Sequence, residues 1–182
     1  MRITYNAPFT LTFTFLTAAI LIFNEVTGGV LIPEFFTLHP VFLYNDPLSY
    51  LRLFSHTFGH ADIAHFTNNF TLILLIGPIL EEKYGSQNLL TMSLVTALFT
   101  AILNLVLFPS YLMGASGIVF MMILLGSFAN VKKGDIPLTF LVILLVFLGK
   151  EFFTAFEDNK ISELAHIVGG ICGSIFGFMK NN

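Results

Sequence analysis

Charge is what this chain has least of. Only 10% of its 182 residues are Asp, Glu, Lys or Arg, against about a quarter in an average soluble domain. The net charge of −3 gives no basic surface for nucleic acid. Cysteine occurs once, at Cys172, which excludes a disulfide framework. Internal repeats and low-complexity segments are missing as well.

Hydrocarbon takes their place: 55% of the residues are hydrophobic, 22 of them Phe, and the mean hydropathy is +0.85. This is the composition of a polytopic membrane protein. Six apolar stretches follow one another, at 8–26, 63–80, 89–107, 116–131, 136–153 and 161–178. Most approach the roughly 20 residues that a helix needs to cross a hydrocarbon core about 30 Å thick. The fourth, at sixteen residues, reaches only about 24 Å. It is expected to start below the membrane surface, in a recess walled by protein or water. The first stretch follows Arg2 but runs past the small pair Ala18 and Ala19 without a clear cleavage site, and reads as a retained helix.

With the N-terminus inside, the inner loops and ends hold Arg2, Lys83, Lys132, Lys133 and Lys180, and the outer ones Arg52, Lys150 and Lys160. The excess of inner cations places both termini in the cytoplasm. The one long loop, 27–62, carries Pro33, Pro40, Pro47 and several aromatic residues, and belongs at the outer interface.

On this arrangement the second, fourth and sixth stretches run from outside to inside, each with polar residues near its start. They are His60, His65, Asn68 and Asn69 for the second, Ser116 for the fourth and His166 for the sixth. Polar groups in a membrane are expensive, so a shared depth points to one site. The sixth stretch also has a ridge of Gly169, Gly173 and Gly177, spaced by four, which lets another helix approach closely. His166 lies one turn before it. If the neighbour is the fourth stretch, which opens on Gly114, Ala115, Ser116 and Gly117, then Ser116 and His166 come within reach of each other.

A serine hydroxyl becomes nucleophilic when a base takes its proton, and imidazole is the usual base near neutral pH. Acyl transfer also needs donors for the oxyanion. The unpaired N–H groups at the start of the fourth helix, around Gly114, Ala115 and Ser116, are suited to this. His65 and Asn69, four apart on one helical face, can add side-chain donors. An acidic third member is not evident; Glu163, three residues before His166, is the nearest carboxylate in sequence. Each feature also has a plain structural reading: small residues line helix contacts, and His65 and Asn69 can act as interhelical polar glue. Their coincidence at one depth favours chemistry. A metal site built from His56, His60 and His65 is the alternative. Spacings of four and five do not put all three on one helical face, and Asp62, a natural N-cap, would leave the first two before the helix. Arg52 and Glu81 read as structural, pairing within the long loop and at the inner boundary, and His39 as a solvated loop residue.

These motifs resemble those of the rhomboid intramembrane serine proteases of the six-helix bacterial type. Gly114, Ser116 and Gly117 match G-x-S-G; Ala165, His166, Gly169 and Gly173 match A-H-x-x-G-x-x-x-G; His56, His60, His65 and Asn69 match the histidine and asparagine signature of the second helix. The resemblance also takes in Arg52, Glu81 and Gly85 and spans nearly the whole chain. It implies an all-α, six-transmembrane-helix bundle with a long interfacial first loop, a single membrane domain over residues 1–182. It further implies a Ser116 and His166 dyad without an acid, an oxyanion site from the Ser116 backbone with His65 and Asn69, and no cofactor. Single-span membrane proteins would be the substrates, entering from the lipid bilayer through a gate around Phe152, Phe153 and Phe156. Location in a bacterial inner membrane goes with this type; the resemblance leaves the oligomeric state open.

Three positions depart from the family pattern. Leu51 stands where an aromatic residue usually precedes the loop arginine, and Met113 where glycine often precedes G-x-S-G. Phe120 stands where a tyrosine commonly packs on the histidine ring, so ring packing is kept and a hydroxyl is lost. The second functional reading is therefore a rhomboid-like pseudoprotease that binds membrane segments without cutting them, although such relatives generally lack the serine or the histidine.

Overall fold

A computed structural model of the protein describes residues 2–129, 131, 132, 134–154 and 160–181, with their side chains outside 147–162 and 181. The helices, in chain order, are α1 (Pro8–Val26), α2 (Leu31–Phe35), α3 (Pro47–Ser55), α4 (Ile63–Tyr84), α5 (Ser86–Leu107), α6 (Ser116–Gly126), α7 (Leu138–Thr154) and α8 (Lys160–Asn181), with a 3-10 turn at His56–Phe58 before α4. Among the described residues the fold is α-helical without a strand, apart from one isolated antiparallel bridge between Leu38 and Leu112. Among the described residues three helices, α1, α4 and α5, are long and apolar enough to cross a membrane.

Local signals explain most of the boundaries. Pro8 starts α1 and Pro47 starts α3, where the missing N–H costs nothing because the first turn has no partner for it. Asp46 caps α3 by accepting from Leu48 N at 3.0 Å. Asp62 caps α4 by accepting from His65 N at 2.7 Å. The turn between α4 and α5 is the single residue Gly85, at φ +82°, a conformation that only glycine adopts without strain. The long first loop is partly helical, through α2, α3 and the 3-10 turn. Inside it Arg52, 5% exposed, donates to the Glu34 carbonyl at 2.8 and 2.6 Å and pairs with the carboxylates of Glu34 (3.3 Å) and Asp46 (3.4 Å).

The central helix is α6. It is apolar on every side, and a helix of that kind is stable only when surrounded. Gly117, Ile118, Val119, Met121, Met122, Leu124 and Leu125 are all buried. The neighbours are chiefly α8, then α4 and α5, while α1 packs on the outer side of α4 and α5. The fourth apolar stretch is shorter as a helix than its composition predicts, ending at Gly126 rather than Val131. Ser127, Phe128 and Ala129 bond back to Leu124, Leu125 and Gly126, a tightened last turn. From α4 the Lys83 ammonium then donates to the carbonyls of Phe128 and Ala129, both at 2.6 Å, satisfying a helix end whose dipole is negative.

At the same end of α4, Glu81 does for α1 what Ala7, the residue before it, cannot. The Glu81 carboxylate accepts from Phe9 N (2.7 Å), Thr10 N (3.0 Å), the Thr10 hydroxyl (2.8 Å) and the Ser86 hydroxyl (2.6 Å). Gly77 makes room for this approach, since a Cβ there would stand 2.7 Å from Thr10 Oγ1. Replacing Glu81 by Ala strands two α1 amides and two hydroxyls, and is expected to lower stability by about 2–4 kcal/mol. Denaturant unfolding in detergent micelles measures this; an unchanged midpoint would show that the clasp contributes nothing.

Candidate functional site

The site is built where α6 begins. Gly114 sits at φ +122° and donates its N–H to the His56 carbonyl at 2.9 Å. Two residues earlier in the loop, Leu112 exchanges both backbone hydrogen bonds with Leu38, at 2.8 and 3.0 Å. The first loop thus holds the strand-like segment leading to Ser116 from two sides. Asn104 at the end of α5 fixes the loop start, donating to the Ser110 carbonyl at 2.9 Å and accepting from the Ser110 hydroxyl at 3.2 Å. Ala115 then occupies the N-cap with no side chain able to cap, so the first-turn amides around Ser116 stay directed at the recess.

Glycine at 114 has a second consequence. A Cβ placed there would lie 2.8 Å from His65 Nε2 and 3.8 Å from Asn69 Nδ2. The polar ends of both α4 side chains therefore point at the backbone just before Ser116, and only the absence of a side chain keeps the approach open. Asn69 is in turn held by His60, whose Nε2 lies 3.1 Å from Asn69 Nδ2 while its Nδ1 lies 3.3 Å from the Phe58 carbonyl. The pairing fits one tautomer, with the proton on Nδ1 and Nε2 accepting from the amide. That leaves the second Asn69 amide hydrogen for another acceptor. The His60 and His65 rings meet edge to face with centroids 4.8 Å apart.

On the other side, α8 supplies His166. The ridge predicted to take a close neighbour takes α6: a Cβ at Gly169 would collide with the Gly117 carbonyl, and one at Gly173 with the Met121 carbonyl. A Cβ at Gly117 would stand 3.2 Å from the Ala165 carbonyl. The residue after Ser116 is thus in backbone contact with the residue before His166 and with the glycine one turn after it. The His166 ring rests on Phe120, with centroids 4.2 Å apart and planes inclined by 34°. Ser116 and His166 are both half-buried.

Behind Ser116 a small cavity of about 10 Å³ is lined by His56, Thr100, Gly114 and Gly117 among others, about the size of one water. Two buried polar atoms on it, His56 Nδ1 and Thr100 Oγ1, have no protein hydrogen-bond partner. The histidines do not converge on a metal. His56 Nε2 lies 3.2 Å from the Ala97 carbonyl of α5 and His60 faces Asn69, and among the described residues no group of three His, Cys, Asp or Glu side chains could hold an ion. His39 is partly sheltered, with Nε2 3.1 Å from the Pro33 carbonyl and its ring 5.4 Å from that of Tyr111. Of the expected gate, Phe156 and the side chains of Phe152 and Phe153 lie outside the described residues. The His56 carbonyl and the Leu38 bridge were not anticipated; they are backbone contacts across the fold, which residue identities do not announce.

Residues 47–181 match the family model of the rhomboid domain. The chain belongs to the rhomboid family. It is similar to the rhomboid protease GlpG of Haemophilus influenzae, 30% identical over 134 residues that cover 71% of this chain and 69% of that protein. Similar too are the rhomboid-related protein 1 of Caenorhabditis elegans, 29% identical over 70% of this chain and 39% of the relative, and the GlpG of Serratia proteamaculans, 26% identical over 73% and 50%. The chain thus spans about half or less of the length of two of these relatives. Family and apolar helices together make this rhomboid an integral membrane protein.

Two histidines that hold the rhomboid's first loop also set a pH dependence. Both precede α4, and burial pushes His56 and His60 down to about 4 from the ordinary 6.5; each is neutral in the fold. The unfolded chain binds protons that the folded chain refuses as pH falls from about 6.5, so stability is full above that value. It declines towards pH 4, by up to about 3 kcal/mol per histidine, and is then constant for these groups. Thermal unfolding in detergent from pH 7.5 to 4.5 reads this. The slope should shrink in His56→Asn; an unaltered slope would take His56 out of the account.

Proposed function

We propose that this rhomboid is an intramembrane serine endopeptidase that cleaves single-span membrane proteins near the outer membrane face, with Ser116 as nucleophile and His166 as base. The observation that carries the reading is the glycine contact between α6 and α8. It sets Ser116 beside the helix turn bearing His166, opposite the open approach that Gly114 leaves to His65 and Asn69. In the proposed reaction a substrate segment frays at the recess and presents a peptide carbonyl. Ser116 Oγ attacks the carbonyl carbon as His166 takes the hydroxyl proton, and the C–N bond then breaks as His166 returns that proton to the leaving amine. Charge on the tetrahedral oxygen is met by first-turn amides of α6, the free amide hydrogen of Asn69 and His65. Water completes the cycle by hydrolysing the acyl-enzyme. Phe120 packs on the imidazole and helps to hold its plane.

The lysine and arginine pattern supports an orientation with both termini cytoplasmic and the recess on the opposite side; the apolar stretches and the resemblance to the bacterial type support six membrane-crossing segments in one domain, in a bacterial inner membrane.

Cleavage of a labelled single-span reporter in reconstituted vesicles tests the reading. Ser116→Ala and His166→Ala are each expected to bring cutting to background. Asn69→Ala is expected to lower kcat about 100-fold with little change in KM, as for loss of an oxyanion donor. Cutting that persists in Ser116→Ala would overturn the serine mechanism. A wild type that binds reporters without cutting any of a varied set would mark a pseudoprotease.

A further inference from the structure

The short central helix leaves a space that the described residues do not fill. Eleven residues of α6 rise about 16 Å, roughly half of a hydrocarbon core about 30 Å thick. Beyond the end of α6, the side towards α8 is closed by aromatic rings. Phe128 is wholly buried and packs on Phe140 and Phe178 with centroids 5.0 and 4.9 Å away, in a space that a Cβ at Gly177 would invade. Among the described residues the side between α4 and α7 has no such filling. There a cavity of about 530 Å³ is lined by Ile76 and Ile79 of α4, Ile123 of α6, Val131, and Ile143 of α7. The Ser127 hydroxyl on its wall is already bonded to the Leu124 carbonyl at 2.6 Å.

We infer that this cavity is a binding site for one anionic phospholipid of the leaflet at the Lys83 end, its acyl chain between α4, α6 and α7 and its phosphate at Lys83 and Lys132. The wall is mostly apolar, with Ser127 and Thr139 supplying its side-chain hydroxyls, so water is a poor occupant. A flexible hydrocarbon chain suits a lateral, apolar opening in a membrane. Charge selects the headgroup. The Lys83 ammonium has three hydrogens and gives two to the carbonyls of Phe128 and Ala129, with the Tyr84 ring 5.1 Å away; the third remains for an external acceptor. Lys132 is exposed and directly follows Val131 of the cavity wall. Arg2 and Lys180 belong to the same end, against Glu81, Glu82 and Asp135. The surplus is positive, and a lysine near an anionic surface is worth about 1 kcal/mol, or about fivefold in affinity.

The absence of tryptophan gives a clean test. Ile79 lines the cavity and is 57% exposed, so Ile79→Trp adds a sole indole without crowding the core. The full chain is reconstituted in vesicles containing either acyl-brominated phosphatidylglycerol or acyl-brominated phosphatidylcholine, and quenching is titrated. The expected result is quenching at an about fivefold lower mole fraction of the anionic lipid, with the preference reduced by Lys132→Gln, which alters only an exposed side chain, and by Lys83→Gln. Equal quenching by the two lipids would reduce the site to ordinary annular contact and overturn the inference. So would a preference untouched by either lysine variant, or an indole that neither lipid reaches.

Discussion

Everything at this site depends on how closely two helices approach. Gly169 and Gly173 meet the carbonyls of Gly117 and Met121 where any side chain would collide, and the step of four residues is the same on both helices. Equal steps in the same direction mean that α6 and α8 run parallel. In a membrane, where apolar burial gives little drive for helices to associate, close backbone contact and the dispersion it allows are the main cohesive force. The contact also fixes register. A slip of one residue would carry His166 about 100° around α8 and away from the level of Ser116.

Around that contact, polar anchors take over where packing ends. α4 is the common partner: at one end Asp62 caps it and His65 and Asn69 face Gly114, and at the other Glu81 seats the first turn of α1 while Lys83 finishes α6. These bonds join elements far apart in the chain, and in a medium without water an unmade bond is costly. That is why a chain with so few charges spends them at helix ends.

Much of this was legible beforehand, residue by residue. Pro8 and Asp62 mark helix starts because their effect on the backbone is local. The glycine ridge on α8 announced a close neighbour, and the pairing of His65 with Asn69 follows from helical period alone. The end of α6 was not legible. Its composition stays apolar to Val131, and the helix stops at Gly126 because an ammonium from α4, more than forty residues earlier in the chain, satisfies the turn that follows. The role of His60 was hidden for a similar reason: it reaches Asn69 from outside the helix, through a loop whose path no periodicity describes.

By itself the sequence determined that this chain lives in a membrane, where its longest helices begin, and which polar residues share a depth, since hydropathy, capping and the 3.6-residue period act over a few neighbours. Only the tertiary structure decided which backbone groups hold Gly114 and Leu112, how Glu81 and Lys83 are used, and where the bundle stays open between α4 and α7. Those outcomes depend on contacts between residues distant in the chain, whose geometry is set by how whole helices pack.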